Sequence, residues 1–381
     1  MAATILPFLI ILPSLSYSLI ALWSAHRFFR REKLSSDHAP PVTILKPVKG
    51  KDSESFENFA SFCRQEYPVY QIVFAVASGD DPVLPVIRRL MAEFPDSDID
   101  LVVDGRTYGP NYKVCNLMNA YPRAKYDVII VSDCDIHVGP EYLRQVCASF
   151  SDPAVGLVTS LYRSPRVWGV ASALEATGFT VEMVPNVLVA RALEGLTFAL
   201  GASMAVRRDA LEAIGGFAAL VDYLADDYQL GNKVFRAGYR LELSACIVES
   251  VMRKDSYGHI FSRQLRWYRT MRVSRPGGFA CFGLTQPFLF AFLALILTGC
   301  SLPGIAAVLL LYLARAMIAV IFSRCYLHDH LFPRWLWLLP LRDLLAFAKW
   351  FLSFFGNRVH WRGHRYRILT GGRIIDLEWE D

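Results

Sequence analysis

The stretch Tyr126-Asp-Val-Ile-Ile-Val-Ser-Asp-Cys-Asp-Ile-His137 decides the fold of this chain. Its apolar, β-branched part, Val128–Ser132, predicts a fully buried strand. Two carboxylates, Asp133 and Asp135, follow this strand, and ligands bind in the crevice beyond the carboxyl ends of parallel strands. Paired carboxylates at such a place suit Mg²⁺ or Mn²⁺ held together with the phosphates of a substrate. The alternative interpretation is a solvated turn after a buried strand.

The composition is typical of a membrane-attached globular domain. Of the 381 residues, 54% are hydrophobic and only 20% are charged, and the apolar excess is concentrated near the two ends. The net charge of +5, with arginines close to the apolar segments, suits anionic lipid headgroups. No basic-aromatic module is present, so we expect no nucleic-acid partner. The eight cysteines form no C-x-x-C pair, which argues against a disulfide or zinc framework and favours a reducing compartment.

The apolar segment from Ile5 to Trp23 is long enough to span a bilayer. The basic stretch His26-Arg-Phe-Phe-Arg-Arg-Glu-Lys33 follows it, whereas a signal peptide would carry its positive charges in front. We therefore predict a transmembrane anchor in residues 1–25, with the following domain in the cytoplasm. The alternative is a buried core helix.

The middle of the chain, residues 40–276, alternates between strand and helix patterns. Strands are predicted at residues 42–45, 71–77, 99–103 and 128–132, and helices between them at residues 56–64, 83–94 and 113–121. This order implies an α/β fold with a mostly parallel sheet and right-handed crossovers. Because neither G-x-G-x-x-G nor a P-loop occurs, a dinucleotide oxidoreductase or a kinase is unsupported.

Further polar residues follow the predicted strands or open the predicted helices. Asp81 comes just after the second strand, where it could cap the next helix, bind a nucleobase or ribose, or do both. Lys113 and Asn116 lie one helical turn apart and face either the same crevice or solvent. Asp227, at the start of an apolar helical stretch, is either a cap or a general base at the mouth of the crevice.

Two arginines and a tryptophan close the predicted domain. Arg263 and Arg266 share one face of a helix, and Trp267 follows them. Arginine suits bidentate capture of a diphosphate, and tryptophan offers a flat wall for a sugar or a lipid chain. The alternative is a basic helix lying on lipid headgroups.

The carboxyl-terminal region, residues 280–356, reads as a membrane region. Residues 282–302 and 305–322 are predicted to form two spanning helices, and residues 332–355 an interfacial or re-entrant segment. Arg315 lies inside the second span, which indicates an internal partner or a lipid-headgroup contact. The basic residues 357–381 are expected to form a cytoplasmic tail.

Four motifs in order carry a family resemblance: Asp81-Pro82, Asp133-Cys-Asp135, Ala225-Asp-Asp227 and Arg263-Gln-Leu-Arg-Trp267. Together they resemble the membrane-bound inverting glycosyltransferases of the GT-A fold, most closely the ceramide glucosyltransferase group. That group carries the pattern D, D, D, (Q/R)-x-x-R-W. The stretches Leu45-Lys-Pro-Val-Lys-Gly50 and Asn116-Leu-Met118 extend the likeness over nearly the whole chain.

The resemblance implies a role for each matched residue. Asp81 would contact the uridine of a UDP-sugar, Asp133 and Asp135 would hold the metal and the diphosphate, and Asp227 would deprotonate the acceptor hydroxyl. Arg263, Arg266 and Trp267 would complete the diphosphate and acceptor site. From its own position in the sequence, Lys113 is a further candidate to bind the nucleotide sugar. The implied reaction is inverting transfer of glucose from UDP-glucose to ceramide, a membrane lipid, by an integral membrane protein. Its catalytic domain would lie on the cytoplasmic face of a bacterial inner membrane or of a Golgi or ER membrane.

Other functions stay open on the sequence alone. The chain also resembles bacterial hopanoid-biosynthesis glycosyltransferases, which implies transfer of N-acetylglucosamine to a hopanoid polyol. A processive polysaccharide synthase and a non-catalytic lipid-binding scaffold are further alternatives. The scaffold predicts loss of at least one site carboxylate, and all of them are present.

Overall fold

The computed structural model describes residues 9–30 and 38–378 and is built around one large sheet. Eleven strands lie in the described residues: β1 Val42–Val48, β2 Tyr70–Val76, β3 Asp98–Val103, β4 Val128–Ser132, β5 Ile136–His137, β6 Val155–Arg163, β7 Ser203–Arg207, β8 Arg240–Ser250, β9 Arg358–Trp361, β10 His364–Ile368 and β11 Ile374–Asp376. Eight of them form the large sheet in the order β3-β2-β1-β4-β7-β6-β8-β5, and β11-β10-β9 form a small antiparallel sheet.

The large sheet is mostly parallel, as predicted. Strands β3, β2, β1 and β4 run parallel to one another, and β6 runs parallel to β8. Strand β7 is antiparallel to β4 and β6, and β5 is antiparallel to β8. The four strands predicted in the first half are all found, and β4 has the predicted bounds.

Helices cover both faces of this sheet. They span Ser55–Cys63, Leu84–Glu93, Tyr112–Ala120, Tyr142–Cys147, Val170–Gly178, Val184–Glu194, Arg208–Ala213, Asp226–Arg236 and Tyr257–Ser274. Neighbouring residues of one strand point to opposite faces, so that Leu45 belongs to one buried cluster and Ile44 to another. Because both faces are covered, β1 and β4 are buried along their whole length, and β4 is apolar from Val128 to Val131 rather than alternating.

The amino-terminal helix Leu12–Phe29 packs on the domain. Its residues Ala21, Ala25 and Phe28 join the core cluster of one sheet face. Serines and the basic residues near its end lower its hydropathy, and it does not qualify as a membrane span by length and composition. The predicted anchor in residues 1–25 is therefore not confirmed. Its residues 1–8, and residues 31–33 of the basic stretch behind it, lie outside the described residues.

Within the described part of the chain, one helix is long and apolar enough to cross a membrane, Leu302–Tyr326. The helices Pro276–Phe282 and Pro287–Leu297 qualify only as a pair, and they are bent by 45°. The predicted hairpin of two spanning helices is thus not confirmed. Arg315 has the internal partners that its position suggested, since Nη2 donates to Val181 O and Asp343 Oδ1, both at 3.2 Å.

The last part of the chain returns to the domain. After the helix Leu339–Ser353, the strands β9 to β11 pack through Val359, Tyr366 and Ile374 against Leu224. This sheet occupies most of the segment 357–381 that the sequence suggested as a basic tail, whose residues 379–381 lie outside the described ones. The sequence analysis missed the sheet, and its β9–β10 turn reaches the candidate site.

Candidate active site

The site lies at one edge of the large sheet. Strands β1, β2 and β4 are parallel, so their carboxyl ends meet at the same edge. Strand β7 runs the other way and begins at this edge with Ser203, directly opposite Ser132. Residues that follow three strands and residues that precede a fourth therefore converge in one crevice.

An ion-pair network joins two of the predicted motifs. The ammonium of Lys113 lies 2.8 Å from Asp133 Oδ1 and 3.1 Å from Asp226 Oδ2. Burial lowers the pKa of Lys113, but these two carboxylates outweigh it, so the pKa is raised and the lysine stays charged. The Asp133 side chain is 38% exposed and so remains open to a ligand. The structure thus brings together the two sequence regions at 133 and 226.

The two aspartates after β4 fit a divalent cation. Burial, reinforced by the negative charge of Asp133, raises the pKa of Asp135 above its ordinary value. Two carboxylates that repel each other in this way are stabilised by a cation between them. They supply only part of a coordination shell, and Mg²⁺-type sites complete theirs with phosphate oxygens and water. Both side chains remain partly exposed, which leaves such a substrate access.

Lys46 is a site residue that the sequence analysis missed. It is fully buried in β1, where its ammonium lies 3.6 Å from the centre of the Phe62 ring. Nζ donates to Ser132 Oγ at 3.3 Å and to Asp133 O at 3.1 Å, which fixes the backbone where the carboxylates begin. Burial lowers its pKa to about 7. The available signal was a lysine directly after the strand predicted at residues 42–45, within the stretch Leu45-Lys-Pro-Val-Lys-Gly50.

Asp227 is the open carboxylate of its pair. Asp226 is buried and paired with Lys113, whereas Asp227 is only partly buried. Asp227 Oδ2 accepts a hydrogen bond from Gly201 N at 3.0 Å, in the turn that leads into β7. Burial and the neighbouring Asp226 raise the pKa of Asp227 to about 6. A carboxylate with such a pKa is ionised at neutral pH and is basic enough to accept a proton.

Asp81 lies in the turn before the helix Leu84–Glu93, whose N-cap is Val83 without a side-chain cap, so the capping interpretation is not confirmed. Its carboxylate accepts hydrogen bonds from Gly50 N at 3.0 and 3.2 Å, and Oδ1 accepts from Val83 N at 2.9 Å. The first contact ties the loop after β1 to the loop after β2. Contact with a nucleoside stays a prediction.

The helix Tyr257–Ser274 carries the two predicted arginines, which have different surroundings. Arg263 donates from Nε and Nη2 to Glu175 at 3.0 and 2.5 Å and from Nη1 to Asp255 at 2.5 Å. Burial and the positive charge of Arg263 lower the pKa of Arg266 to about 10. The structure therefore engages Arg263 in protein carboxylates instead of leaving it open to a diphosphate. For Arg266, the negative charge of Asp227 partly offsets the lowering of the pKa.

Trp267 lies in an apolar cluster next to this helix. Its ring centre is 6.2 Å from that of Phe179, and Met252 and Ala176 belong to the same cluster. The side chain keeps some exposure. The indole is thus an apolar surface beside the helix, and its contact with a sugar or a lipid chain stays a prediction.

Arg362 is the second residue that the sequence analysis missed. It lies in the turn between β9 and β10, where Nη1 donates to Lys49 O at 3.1 Å and Nη2 lies 3.9 Å from Cys134 Sγ. Partial desolvation of the guanidinium would lower its pKa, but Cys134 and the carboxylates of Asp133 and Asp135 raise it. No local sequence signal marks this arginine among the other basic residues near the end of the chain.

Comparison with known proteins identifies the family. Residues 6–374 match the model named Glycosyl transferase family 21. The chain belongs to this family. The resemblance to ceramide glucosyltransferases drawn from the four motifs is thereby confirmed.

Curated relatives are named ceramide glucosyltransferases. The chain is 30% identical over 260 residues to ceramide glucosyltransferase 3 of Caenorhabditis elegans. This alignment covers 68% of this chain and 56% of the relative. The chain is 26% identical over 238 residues to ceramide glucosyltransferase 1 of the same organism, covering 62% of this chain and 51% of the relative. The chain thus spans about half the length of the curated relatives it matches.

A solved structure supports the fold. A mannosyltransferase from Pyrobaculum calidifontis, in complex with GDP-Man and Mn²⁺, matches with a TM-score of 0.59. The match covers 93% of this chain and 99% of that one at 18% sequence identity. At this identity the likeness concerns the fold alone, which is GT-A-like with a large, mostly parallel sheet.

Proposed function

We propose that this chain transfers glucose from UDP-glucose to the hydroxyl of ceramide with inversion at the anomeric carbon. The observation that carries the proposal is the Lys113 bridge between Asp133 and Asp226, because it sets the paired carboxylates after β4 beside Asp227. A donor diphosphate and an acceptor hydroxyl need these two kinds of group in one crevice. The membership of family 21 and the names of the curated relatives support the choice of ceramide as acceptor.

The donor side uses the residues after three strands. Asp133 and Asp135 would hold Mg²⁺ or Mn²⁺ with the diphosphate, and the metal would neutralise negative charge on the departing nucleotide. Asp81 would accept hydrogen bonds from the uridine while it ties the loops after β1 and β2 together. Lys113 and Arg266 would add positive charge around the phosphates.

On the acceptor side, Asp227 acts as general base. It takes the proton of the acceptor hydroxyl as that oxygen attacks the anomeric carbon from the face opposite the diphosphate. The bond between this carbon and the diphosphate oxygen breaks, and its electron pair leaves with UDP. No covalent nucleophile is needed, because one displacement inverts the configuration.

The lipid would reach Asp227 from a bilayer. The helix Leu302–Tyr326 exposes large apolar side chains, among them Leu302 at 81% and Leu310 at 66% exposure. Exposed apolar surface of this extent favours contact with lipid. Trp267 and Phe179 would line the path of the acyl or sphingoid chain, and the domain would face the cytoplasm.

The test is a transfer assay with purified protein in lipid, offering UDP-glucose or UDP-N-acetylglucosamine against ceramide or a hopanoid polyol. We expect glucosylceramide with one sugar per lipid. Formation of N-acetylglucosaminyl hopanoid would instead assign the activity of the bacterial hopanoid enzymes. The names of the curated relatives do not support that activity. A chain of sugars would indicate a processive synthase. Absence of product with every donor and acceptor pair would contradict the proposal.

A further inference from the structure

The turn between β9 and β10 has an unusual backbone for its sequence. Trp361 pairs with His364, so Arg362 and Gly363 form a two-residue turn, and their φ angles are 54° and 94°. Hairpin turns with positive φ at both positions favour Asn or Asp, followed by Gly. Arginine at the first position is disfavoured, because its Cβ crowds the backbone there. An outlier of this kind justifies a search for a functional reason.

This turn is fastened to the loop after β1. Arg362 Nη1 donates to Lys49 O at 3.1 Å, and Lys49 Nζ donates back to Arg362 O at 3.1 Å. The Lys49 loop is in turn tied to Asp81 through Gly50 N. The turn therefore has a fixed position above the edge of the sheet where the donor is proposed to bind.

The guanidinium of Arg362 lies beside the paired carboxylates. Nη2 is 3.9 Å from Sγ of Cys134, the residue between Asp133 and Asp135, and the arginine remains exposed. Neither carboxylate is joined to Arg362 by a direct ion pair among the described residues. The positive charge is thus close to the metal-binding pair and still open to a ligand.

The other cationic side chains near the site have different partners. Arg263 is held by Glu175 and Asp255, and Lys113 is held by Asp133 and Asp226. Trp361, the residue before Arg362, supports Arg266, whose guanidinium lies 5.5 Å from the centre of its ring. The turn therefore both brings one arginine to the site and supports another.

We propose that Arg362 binds the diphosphate of the nucleotide-sugar donor and stabilises the leaving nucleotide, so that the carboxyl-terminal sheet is part of the active site. This inference rests on the proposed function. The planar fork of a guanidinium matches phosphate oxygens in a bidentate manner, and its charge offsets the charge that develops as UDP departs. The disfavoured backbone of the turn is then the cost of presenting an arginine there.

The test measures binding of UDP and of uridine to the full chain in lipid with Mn²⁺, by competition titration. The variant is Arg362→Asn, because asparagine tolerates positive φ and keeps the hairpin turn. We expect its affinity for UDP to fall about tenfold, as for loss of a charge-assisted contact, with its affinity for uridine unchanged. The UDP affinity of Arg362→Lys should lie between those of the wild type and Arg362→Asn, since lysine keeps the charge and loses the bidentate guanidinium.

The matched control is Arg365→Ala, an exposed arginine on β10 of the same sheet. It should bind UDP as the wild type does. Unchanged UDP affinity in Arg362→Asn would overturn the inference, and so would a parallel loss of UDP and uridine binding, which indicates a purely structural turn. If the wild type itself fails to bind UDP, the proposed function falls and the inference falls with it.

Discussion

Two groups of charged residues in this molecule differ in how they are neutralised. In the helical carboxyl-terminal region, Arg315 pairs with Asp343 at 3.2 Å, and Arg342 pairs with Glu182 at 2.5 Å. These side chains are 12% exposed or less, so each charge depends on its partner. At the edge of the large sheet, by contrast, Asp227 is partly exposed and has no ion-pair partner among the described residues. Buried charges that satisfy each other hold the fold. Partly exposed charges are available for chemistry, whether they are unpaired like Asp227 or paired like Asp133.

The largest effect is expected at the open carboxylate. Asp227→Asn should reduce transfer by about 10³-fold or more, because a general base contributes about 10²–10⁴-fold and the amide cannot accept the proton. UDP-sugar binding should be largely intact, since the amide oxygen can still accept one of the two backbone hydrogen bonds, from Gly201 N or from Tyr228 N, that the carboxylate accepts. Turnover and donor affinity are measured separately.

The control for this variant is Asp222→Asn, an exposed carboxylate a few residues earlier in the chain. It should transfer at the wild-type rate. An equal loss of donor binding and turnover in Asp227→Asn would reject its assignment as the base. A loss of thermal stability would place Asp227 with the mutually neutralised charges instead.

The opposite result is expected in the buried pairs. Asp343→Ala leaves Arg315 buried beside Val181 O without its carboxylate, which should cost about 3–5 kcal/mol in the free energy of unfolding. Thermal unfolding in detergent measures this loss. The double variant Arg315→Met with Asp343→Leu should recover most of the stability, because no unpaired charge remains. If the double variant is as unstable as the single one, the pair has a role beyond charge neutralisation.

The pH dependence of transfer should report the open carboxylate. The pKa of Asp227 is raised to about 6, and the base acts only when it is ionised. Transfer should therefore be full above this value and fall about tenfold per pH unit below it. The measurement is kcat/KM against pH at saturating Mn²⁺, together with UDP affinity at each pH. The pKa of Asp135 is raised too, so a parallel fall in UDP affinity would assign the pH profile to the donor site.

The sequence predicted the parts of the molecule that depend on local pattern. Strand β4 and its two aspartates follow from a short apolar run, and the crossover order places them at the site edge. The sequence analysis missed Lys46 and Arg362 because their partners are distant in the sequence. Arg362, for example, is hydrogen-bonded to Lys49, 313 positions away. The small sheet escaped for the same reason, since strands of three to five residues carry a weak signal until Leu224 and its neighbours cover them.

Arg263 also marks the limit of sequence reasoning. A helical face shared with Arg266 and a matching motif gave both arginines the same role, yet Glu175 lies 88 positions away from Arg263 and takes two of its donors. Spacing along a helix predicts which residues point the same way. It does not predict which of them meets a partner from another helix.

The smallest effect on donor binding is expected for Arg263→Lys. This variant tests whether Arg263 belongs to the charges that stabilise the fold or to those that bind the substrate. The lysine keeps the charge but loses the two-pronged contact with Glu175, which should cost about 1 kcal/mol of stability, since the arginine is 31% exposed. UDP affinity should hardly change, whereas Arg266→Lys should weaken UDP binding and leave stability nearly unaltered. Both variants are measured by thermal unfolding and UDP titration. Should Arg263→Lys lose more UDP affinity than Arg266→Lys, the pairing with Glu175 must open when the donor binds, and Arg263 would move from the charges that hold the fold to those that act on the substrate.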